Sequence, residues 1–522
     1  MHLPENLGLG RSQRVSCIFF VFLYSVIANI PFWAASHWLG LLPLGWFCFE
    51  YVGVGFVALF VSRLLAVSLL LVIIAADVLC GVSKTYYLSP EECFSNSGFL
   101  RELPAARLLA VAAVCLLAFL VILLAANVPK RPLRGNYRLG AAGALFAVAL
   151  IGVGADYIAI FRDTGHVPSP FKLGRPVDAN KFNGYGTLWF YRYPSITLAK
   201  NQRVFSTKHG TDGSLADYSA VQGATASALH SAGLTEAKGS MHPDLVVIVV
   251  ESWGLGTDPM LRNALVHPYL QSPLLLKYDV QQGSVPFHGS TIDGETRELC
   301  GSSIGFNVQR ATPAQLQTCL PATLSALGYH DIAAHGMDGH MFARSDWYDH
   351  IGFQERWFRT QFRELGLPEC LGAFRGTCDA SIARWVGHRL EQPHTHPDFV
   401  YWMTLNSHLP VPVPSGIVPA ASCSLTPELV QQPALCSWYQ FEANVHLSIS
   451  QLAMSNLARP AVFVIVGDHA PPFSNATIRG QFSQTAVPYV LLLPRQTKMP
   501  QNLAGTGVSQ RPGSTETQSV HN

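Results

Sequence analysis

PDLVVIVVESW, residues 243–253, is a run of six apolar residues framed by Pro243 on one side and Gly254 on the other. It has strand length and does not alternate with polar residues, so it reads as a strand buried on both faces of a parallel sheet. PAVFVIVGDHAPP (460–472) and PYVLLLP (488–494) are runs of the same kind, and DFVYWMTLNSH (398–408) lies between the first and second. Helical stretches alternate with them, around 313–327, 379–391 and 438–458. That alternation predicts an α/β sandwich. Ligands collect at the carboxyl ends of such strands, which is where Glu251, His408, Asp468 and His469 fall.

Upstream of this half the chain is apolar. Of its 522 residues, 49% are hydrophobic and only 13% charged, about half the charged fraction of a soluble protein. Five stretches reach the length of a membrane span, roughly 15–36, 39–61, 64–83, 106–126 and 140–160. The first is too long for a signal-peptide core and four more follow it. Arg11 and Arg14 precede the first stretch, Arg63 follows the second, and Lys130, Arg131, Arg134 and Arg138 separate the fourth from the fifth. Basic residues stay on the cytoplasmic side. The segment SKTYYLSPEECFSNSGFLRELPAAR (83–107) and everything after the fifth span therefore belong outside. Asp77 and Asp156, near span ends, read as acids reaching headgroups or water.

The expected organisation is a five-helix transmembrane domain over 1–161, a linker over 162–241, a catalytic domain over 242–496 and a disordered tail over 497–522. Within the linker, FNGYGTLWFYRYP (182–194) reads as an interfacial aromatic belt. A net charge of +2 and the lack of a Lys/Arg block outside the membrane loops argue against a nucleic-acid partner. Cys17, Cys48, Cys80 and Cys115 lie in or beside spans, and Cys93 lies in the outer loop. The remaining six, Cys300, Cys319, Cys370, Cys378, Cys423 and Cys436, sit in an oxidising compartment and allow up to three disulfides. The short separations 370/378 and 423/436 suit local loop staples.

Glu251 with Asp468 and His469 offers mixed oxygen and nitrogen ligands, a set that fits one divalent ion: manganese or zinc, with magnesium as a third candidate. A hydroxyl should complete the set from HGSTIDGETRELCG (288–301). A metal-bound threonine hydroxyl loses its proton readily and becomes a nucleophile.

Taken in order behind five spans, ESW, GSTIDGE, HGMDGHMFAR, NSHLP and GDHAPP resemble the lipoteichoic acid synthase and phosphoglycerol transferase branch of the alkaline phosphatase/sulfatase superfamily. The resemblance runs from about residue 15 to 495. It implies an α/β sandwich of the sulfatase type, with Thr291 as nucleophile and metal ligand beside Glu251, Asp468 and His469. Thr296 competes for the nucleophile's place but follows the acidic residue, which breaks the spacing. His335, Phe342, Arg344 and His408 fall on the substrate-binding motifs, with Phe342 where synthases often carry Trp. Arg344 suits a two-pronged grip on phosphate, while His335 and His408 suit holding phosphate oxygens or moving a proton. His340, His350, His388, His394 and His396 have no motif support.

The activity implied is transfer of a headgroup, phosphoglycerol first, from a phospholipid donor to a glycan, polymer or lipid acceptor outside the cytoplasmic membrane of a bacterium. A sulfatase proper needs Cys or Ser followed by Pro and Arg, and Cys300 is followed by GSSIG. The alternatives are a phosphoethanolamine transferase acting on lipid or glycan, which shares the spans, the threonine and the outside disulfides but not the nucleophile loop found here, and a sulfatase-like phosphodiester hydrolase. A membrane sensor with a decayed enzyme domain would have lost a ligand, and all four are present.

Overall fold

The computed structural model describes residues 5–41, 48, 50–88, 90–127, 133, 135–164, 223–234, 242–287, 289–301, 304–411 and 421–495. The aromatic segment 182–194, most of the expected linker, Lys130, Arg131, Arg134, and the tail 497–522 lie outside the described residues.

The apolar N-terminal part contains α1 (Glu5–Ser25), α2 (Ile30–Leu39), α3 (Glu50–Phe60), α4 (Arg63–Tyr86), α5 (Pro90–Ser95), α6 (Ala105–Asn127) and α7 (Asn136–Thr164). Among the described residues three stretches are long and apolar enough to cross a membrane: Ser12–Leu39, Arg63–Ser83 and Ala105–Asn127. Glu50–Phe60 and Asn136–Gly152 are apolar but shorter. Each of the five stretches read from the sequence contains some apolar helix, and among the described residues three of these helices have the length of a span. Gly40, in the left-handed conformation at φ 69°, ends α2, and residues 42–47 of the second stretch lie outside the described residues. The first is jointed near Asn29, since Pro31 lacks the N–H that would carry α1 onward. Asn29 is fully buried there and accepts the Cys48 N–H at 2.8 Å.

Asp77 departs from expectation. It is fully buried between helices and accepts the Tyr51 hydroxyl at 2.7 Å, rather than reaching headgroups. A carboxylate in that setting is tolerated because a donor meets it. The side chain of Asp156 lies outside the described residues.

The second half contains β1 (Asp244–Val250), β2 (Tyr278–Pro286), β3 (His330–His335), β4 (Glu355–Trp357), β5 (Glu369–Leu371), β6 (Arg375–Thr377), β7 (Asp398–Met403), β8 (Ala461–Gly467) and β9 (Ala486–Pro494). Seven strands form one sheet in the order β2-β9-β8-β1-β7-β3-β4. The five from β8 to β4 are parallel. The run PYVLLLP forms β9, which is antiparallel to both β8 and β2 and makes the sheet mixed. β1, β7 and β8 are buried at every position, as their unbroken apolar runs require.

Of the three expected helices, Asp379–Glu391 is continuous and the last one runs Pro433–Met454. The stretch 313–327 divides into Pro313–Leu316 and Leu320–Ala326, the second beginning with Pro321 in its first turn. Residues 224–231, assigned to the linker by sequence, form a helix whose Ala224, Ala226, Ala228 and Leu229 belong to the sheet core. Thr225 anchors it by donating its N–H and hydroxyl to Glu298, each at 2.8 Å. Disulfides join Cys370 to Cys378 and Cys423 to Cys436, as the short separations anticipate, and a third joins Cys300 to Cys319.

Candidate active site

The parallel strands deliver their polar termini to one edge of the sheet. Val250 of β1 pairs with Gly467 of β8, so Glu251 and Asp468 emerge side by side. Gly467 is needed for that pairing, because a Cβ there would meet the Trp253 carbonyl at 1.9 Å. The helix Thr291–Cys300 is buried at all ten positions and starts beside them. Its entry is fixed by Asp293, whose carboxylate accepts the Ser290 N–H at 2.9 Å. Gly294 lets the helix rest on Asp468, where a Cβ would lie 2.8 Å from the Asp468 Cα. Arg297, one turn on, donates to the carbonyls of Gly467 at 2.7 Å and Asp468 at 3.3 Å, pinning the end of β8.

Thr291 begins the helix, and its Oγ1 lies 3.3 Å from Glu251 Oε2 and 3.3 Å from His469 Nε2. His469 Nε2 lies 3.3 Å from Asp468 Oδ2 and 3.7 Å from Glu251 Oε1. Asp468 Oδ1 accepts the N–H groups of Ser252 and His469 at 2.8 and 2.6 Å. Oδ2 is buried with no hydrogen-bond partner among the described residues. His469 donates its Nδ1–H to the Ala470 carbonyl at 2.9 Å, which turns Nε2 toward the acids.

This donor set fits a divalent cation. Ligand atoms of Glu251, Asp468 and His469 lie within 4.8 Å of one another, and all three residues are buried. Burial first, and the Asp468 charge second, push the Glu251 carboxyl well above its ordinary range. Two carboxylates out of water, one with an orphaned oxygen, are tolerable when a cation offsets them.

Around this centre stand two more histidines with the same orientation. His335 and His408 tie Nδ1 to the carbonyls of Met403 and Leu409, at 2.9 and 2.7 Å. Burial drives His335 well below its ordinary value and His408 down to about 3, so both are neutral with Nε2 as acceptor. The loop bearing His408 is held by Asp379, which accepts the N–H groups of Leu405 and Asn406. Arg344 is buried and donates Nε and Nη2 to Glu295 Oε1, at 3.0 and 2.6 Å. Its guanidinium lies 4.9 Å from the ring of Phe342.

A sulfatase family profile, described as "Sulfatase", matches residues 243–515, just over half of the chain. The chain belongs to the sulfatase family. None of the curated proteins compared with it matches. Solved structures similar to it include the lipoteichoic acid synthase LtaP of Listeria monocytogenes, 13% identical over 58% of this chain and 72% of that one, with a TM-score of 0.37. They include the phosphoglycerol transferase GacH of Streptococcus pyogenes in complex with sn-glycerol-1-phosphate, 14% identical over 55% and 77%, TM-score 0.38. The periplasmic domain of EptC from Escherichia coli is 13% identical over 49% and 74%, TM-score 0.28.

In this sulfatase-family domain, Glu251, Thr291, Asp468, His469 and His408 converge, with His408 Nε2 at 3.9 Å from Glu251 Oε1. His335, Arg344 and Phe342 form the next ring, and the Arg344 charge reaches both Glu251 and His335. Thr296, the rival nucleophile, donates its hydroxyl to the Ile292 carbonyl of its own helix at 2.9 Å. Sequence reasoning passed over Ser252, whose Oγ donates to Glu251 Oε1 at 2.8 Å and whose backbone is left-handed at φ 61°. Strain of that kind gathers at functional sites. It also passed over Ser407, which donates to the Glu251 carbonyl at 2.6 Å. Glu295 was legible only as the acid that follows the nucleophile, not as the partner of Arg344, and Asp379 and Arg297 carried no motif signal.

Proposed function

We propose that the protein is a membrane-anchored, metal-dependent phosphotransferase that moves phosphoglycerol from a phospholipid through a phospho-threonine at Thr291. The acceptor is an extracytoplasmic glycan, polymer or lipid. The observation that carries this reading is the Thr291 hydroxyl, 3.3 Å from both Glu251 and His469 in the only cluster of potential metal ligands among the described residues.

Glu251, Asp468 and His469 hold the ion, manganese or zinc before magnesium, with Thr291 completing the set. When bound, the ion lowers the pKa of a coordinated hydroxyl and offsets negative charge on a phosphoryl group. Thr291 attacks phosphorus, and the P–O bond to the lipid alcohol breaks as the bond to Thr291 Oγ1 forms. Arg344 offers phosphate the guanidinium edge not taken by Glu295, and Phe342 backs that guanidinium. Neutral His335 and His408 present Nε2 as acceptors, which suits them to hold the incoming acceptor hydroxyl by a hydrogen bond for the second displacement.

Topology fits this chemistry. Residues 1–161 anchor the enzyme in the cytoplasmic membrane of a bacterium with five passes, and the domain from 242 to 496 works outside. Three disulfides in that domain support an oxidising compartment.

The test is a brief incubation of the purified full-length protein, loaded with manganese, with phosphatidylglycerol vesicles. The expected result is release of diacylglycerol and a glycerophosphoryl adduct on the peptide containing Thr291. An adduct elsewhere would sink the assignment. Turnover of phosphatidylethanolamine alone would move the donor to that headgroup.

A further inference from the structure

The outer loop of the membrane half reaches the catalytic pocket. Tyr86, the last residue of α4, stacks on the imidazole of His408 with ring centroids 6.3 Å apart. Tyr87 lies 5.4 Å from the ring of His469. Its hydroxyl donates to the Ala470 carbonyl at 3.3 Å, the Phe287 ring meets it edge-on at 6.0 Å, and the Arg479 guanidinium covers it at 4.7 Å. Its backbone is left-handed at φ 58°. A tyrosine keeps that conformation where its surroundings fix it.

The rest of the loop is seated along the same rim. Glu91 pairs with Arg310 at 3.0 Å and Glu102 with Arg359 at 2.7 Å. Leu103 packs on the cluster of Met337, Met341, Ala373, Phe374 and Leu405. Phe374 in turn stands edge-on to His408 at 4.6 Å. Arg107, in the first turn of α6, is half-buried, and its charge reaches both Tyr86 and His408, the two rings stacked at the pocket. An arginine whose only task was to anchor a span end would extend toward headgroups or water. This one is half-buried, with its charge felt at the pocket.

We propose that residues 86–107 form the membrane-side wall of the catalytic pocket and that Arg107 binds the phosphate anion of the donor. The assignment to Arg107 rests on the phosphoryl-transfer reading above. A guanidinium at the head of a membrane helix stands at headgroup depth, and its planar donors match phosphate oxygens. A lipid donor can then enter between the wall and the sheet edge with its acyl chains still in the bilayer.

Full-length enzyme in mixed micelles tests this with Arg107→Ala and Arg107→Lys, using phosphatidylglycerol and the water-soluble diester bis(p-nitrophenyl) phosphate. Arg107→Ala should raise KM for phosphatidylglycerol about 10- to 100-fold, the equivalent of one hydrogen bond to a charged group, with kcat little changed. Arg107→Lys should recover part of the loss. A parallel rise for the soluble diester assigns Arg107 to the phosphate itself, and a rise confined to the lipid assigns it to a headgroup presented at the membrane surface. Unchanged KM for both substrates, or a fall in kcat alone, overturns the role. Seating of the wall has its own readout, cross-linking of a Glu102→Cys, Arg359→Cys pair by a short bismaleimide in the membrane-embedded protein. Cross-linking no greater than in the single-cysteine controls overturns the wall. If the unmodified enzyme cleaves neither diester, the phosphoryl-transfer reading and the Arg107 assignment fall together, while the cross-link still decides the wall.

Discussion

Arg344 and Glu295 form a closed pair beneath the pocket: the arginine donates Nε and Nη2 to one carboxylate oxygen, and the hydroxyls of Tyr348 and Tyr401 reach the other. All four residues are buried. Burial, then the negative charge of Glu295, push both phenols well above their ordinary range, so both remain donors. Arg344 is therefore aimed by its partner before any substrate arrives.

Breaking that pair should cost more than a surface ion pair would. Glu295→Ala leaves a buried guanidinium without its carboxylate, a loss of about 3–5 kcal/mol. Arg344→Ala strands Glu295 in the same way, and the double variant should lose clearly less than the sum of the two, because both single changes remove one shared interaction. Denaturant midpoints of the three variants measure this. Additive losses would show that the pair is not energetically coupled.

Thr291 and Thr296 should separate cleanly. Thr296→Ala removes a hydroxyl that donates to Ile292 and accepts the Gly305 N–H at 3.2 Å, so it should lower stability by about 1–3 kcal/mol and leave turnover close to normal. Thr291→Ala should abolish turnover and keep the unfolding midpoint, since its hydroxyl faces Glu251 and His469 rather than the helix. Steady-state rates and melting curves on the same preparations check both. Retained turnover in Thr291→Ala would place the nucleophile elsewhere.

The orphaned Asp468 Oδ2 makes metal removal informative. A ligand that binds only the folded state raises its stability, so dialysis against EDTA should lower the melting temperature of the unmodified protein and added manganese should restore it. Asp468→Asn should bind little metal, and its melting temperature should not respond to EDTA. An equal EDTA response in both proteins would place the ion outside this cluster.

The ends of the central strands were readable because strands buried on both faces show as unbroken apolar runs, and the first polar residue after each run marks the sheet edge. Direction was not readable. The run that became β9 looks the same whether parallel or antiparallel to its neighbour, and only its pairing with β8 and β2 decides. β2, YDVQQGSVP, has mixed burial at the edge of the sheet and carries no such run. Motif spacing identified Arg344 without its partner, since Glu295 lies 49 residues earlier and their contact exists only after folding. The seat of Tyr87 on Ala470, across 383 residues, is further still from any local pattern.

The opposite end of the sheet supplies a pH test independent of catalysis. Asp331, near the start of β3, is fully buried. Its carboxylate meets no donor among the described residues beyond a marginal approach to the Ser325 hydroxyl. Burial first, with the Asp398 charge adding to it, raises its pKa to about 8. A carboxyl raised on folding contributes stability that is fully present below its unfolded value, near 4, and is lost as pH climbs through about 8. The protein should therefore lose on the order of a few kcal/mol between pH 5 and pH 9 from this group alone. Asp331→Asn mimics the protonated form and cannot ionise, so its melting temperature should fall less over the same interval and should exceed that of the unmodified protein at pH 9. Thermal unfolding of both full-length proteins in detergent at the two pH values measures the difference. Equal slopes would show that Asp331 finds a donor on folding or is charged throughout.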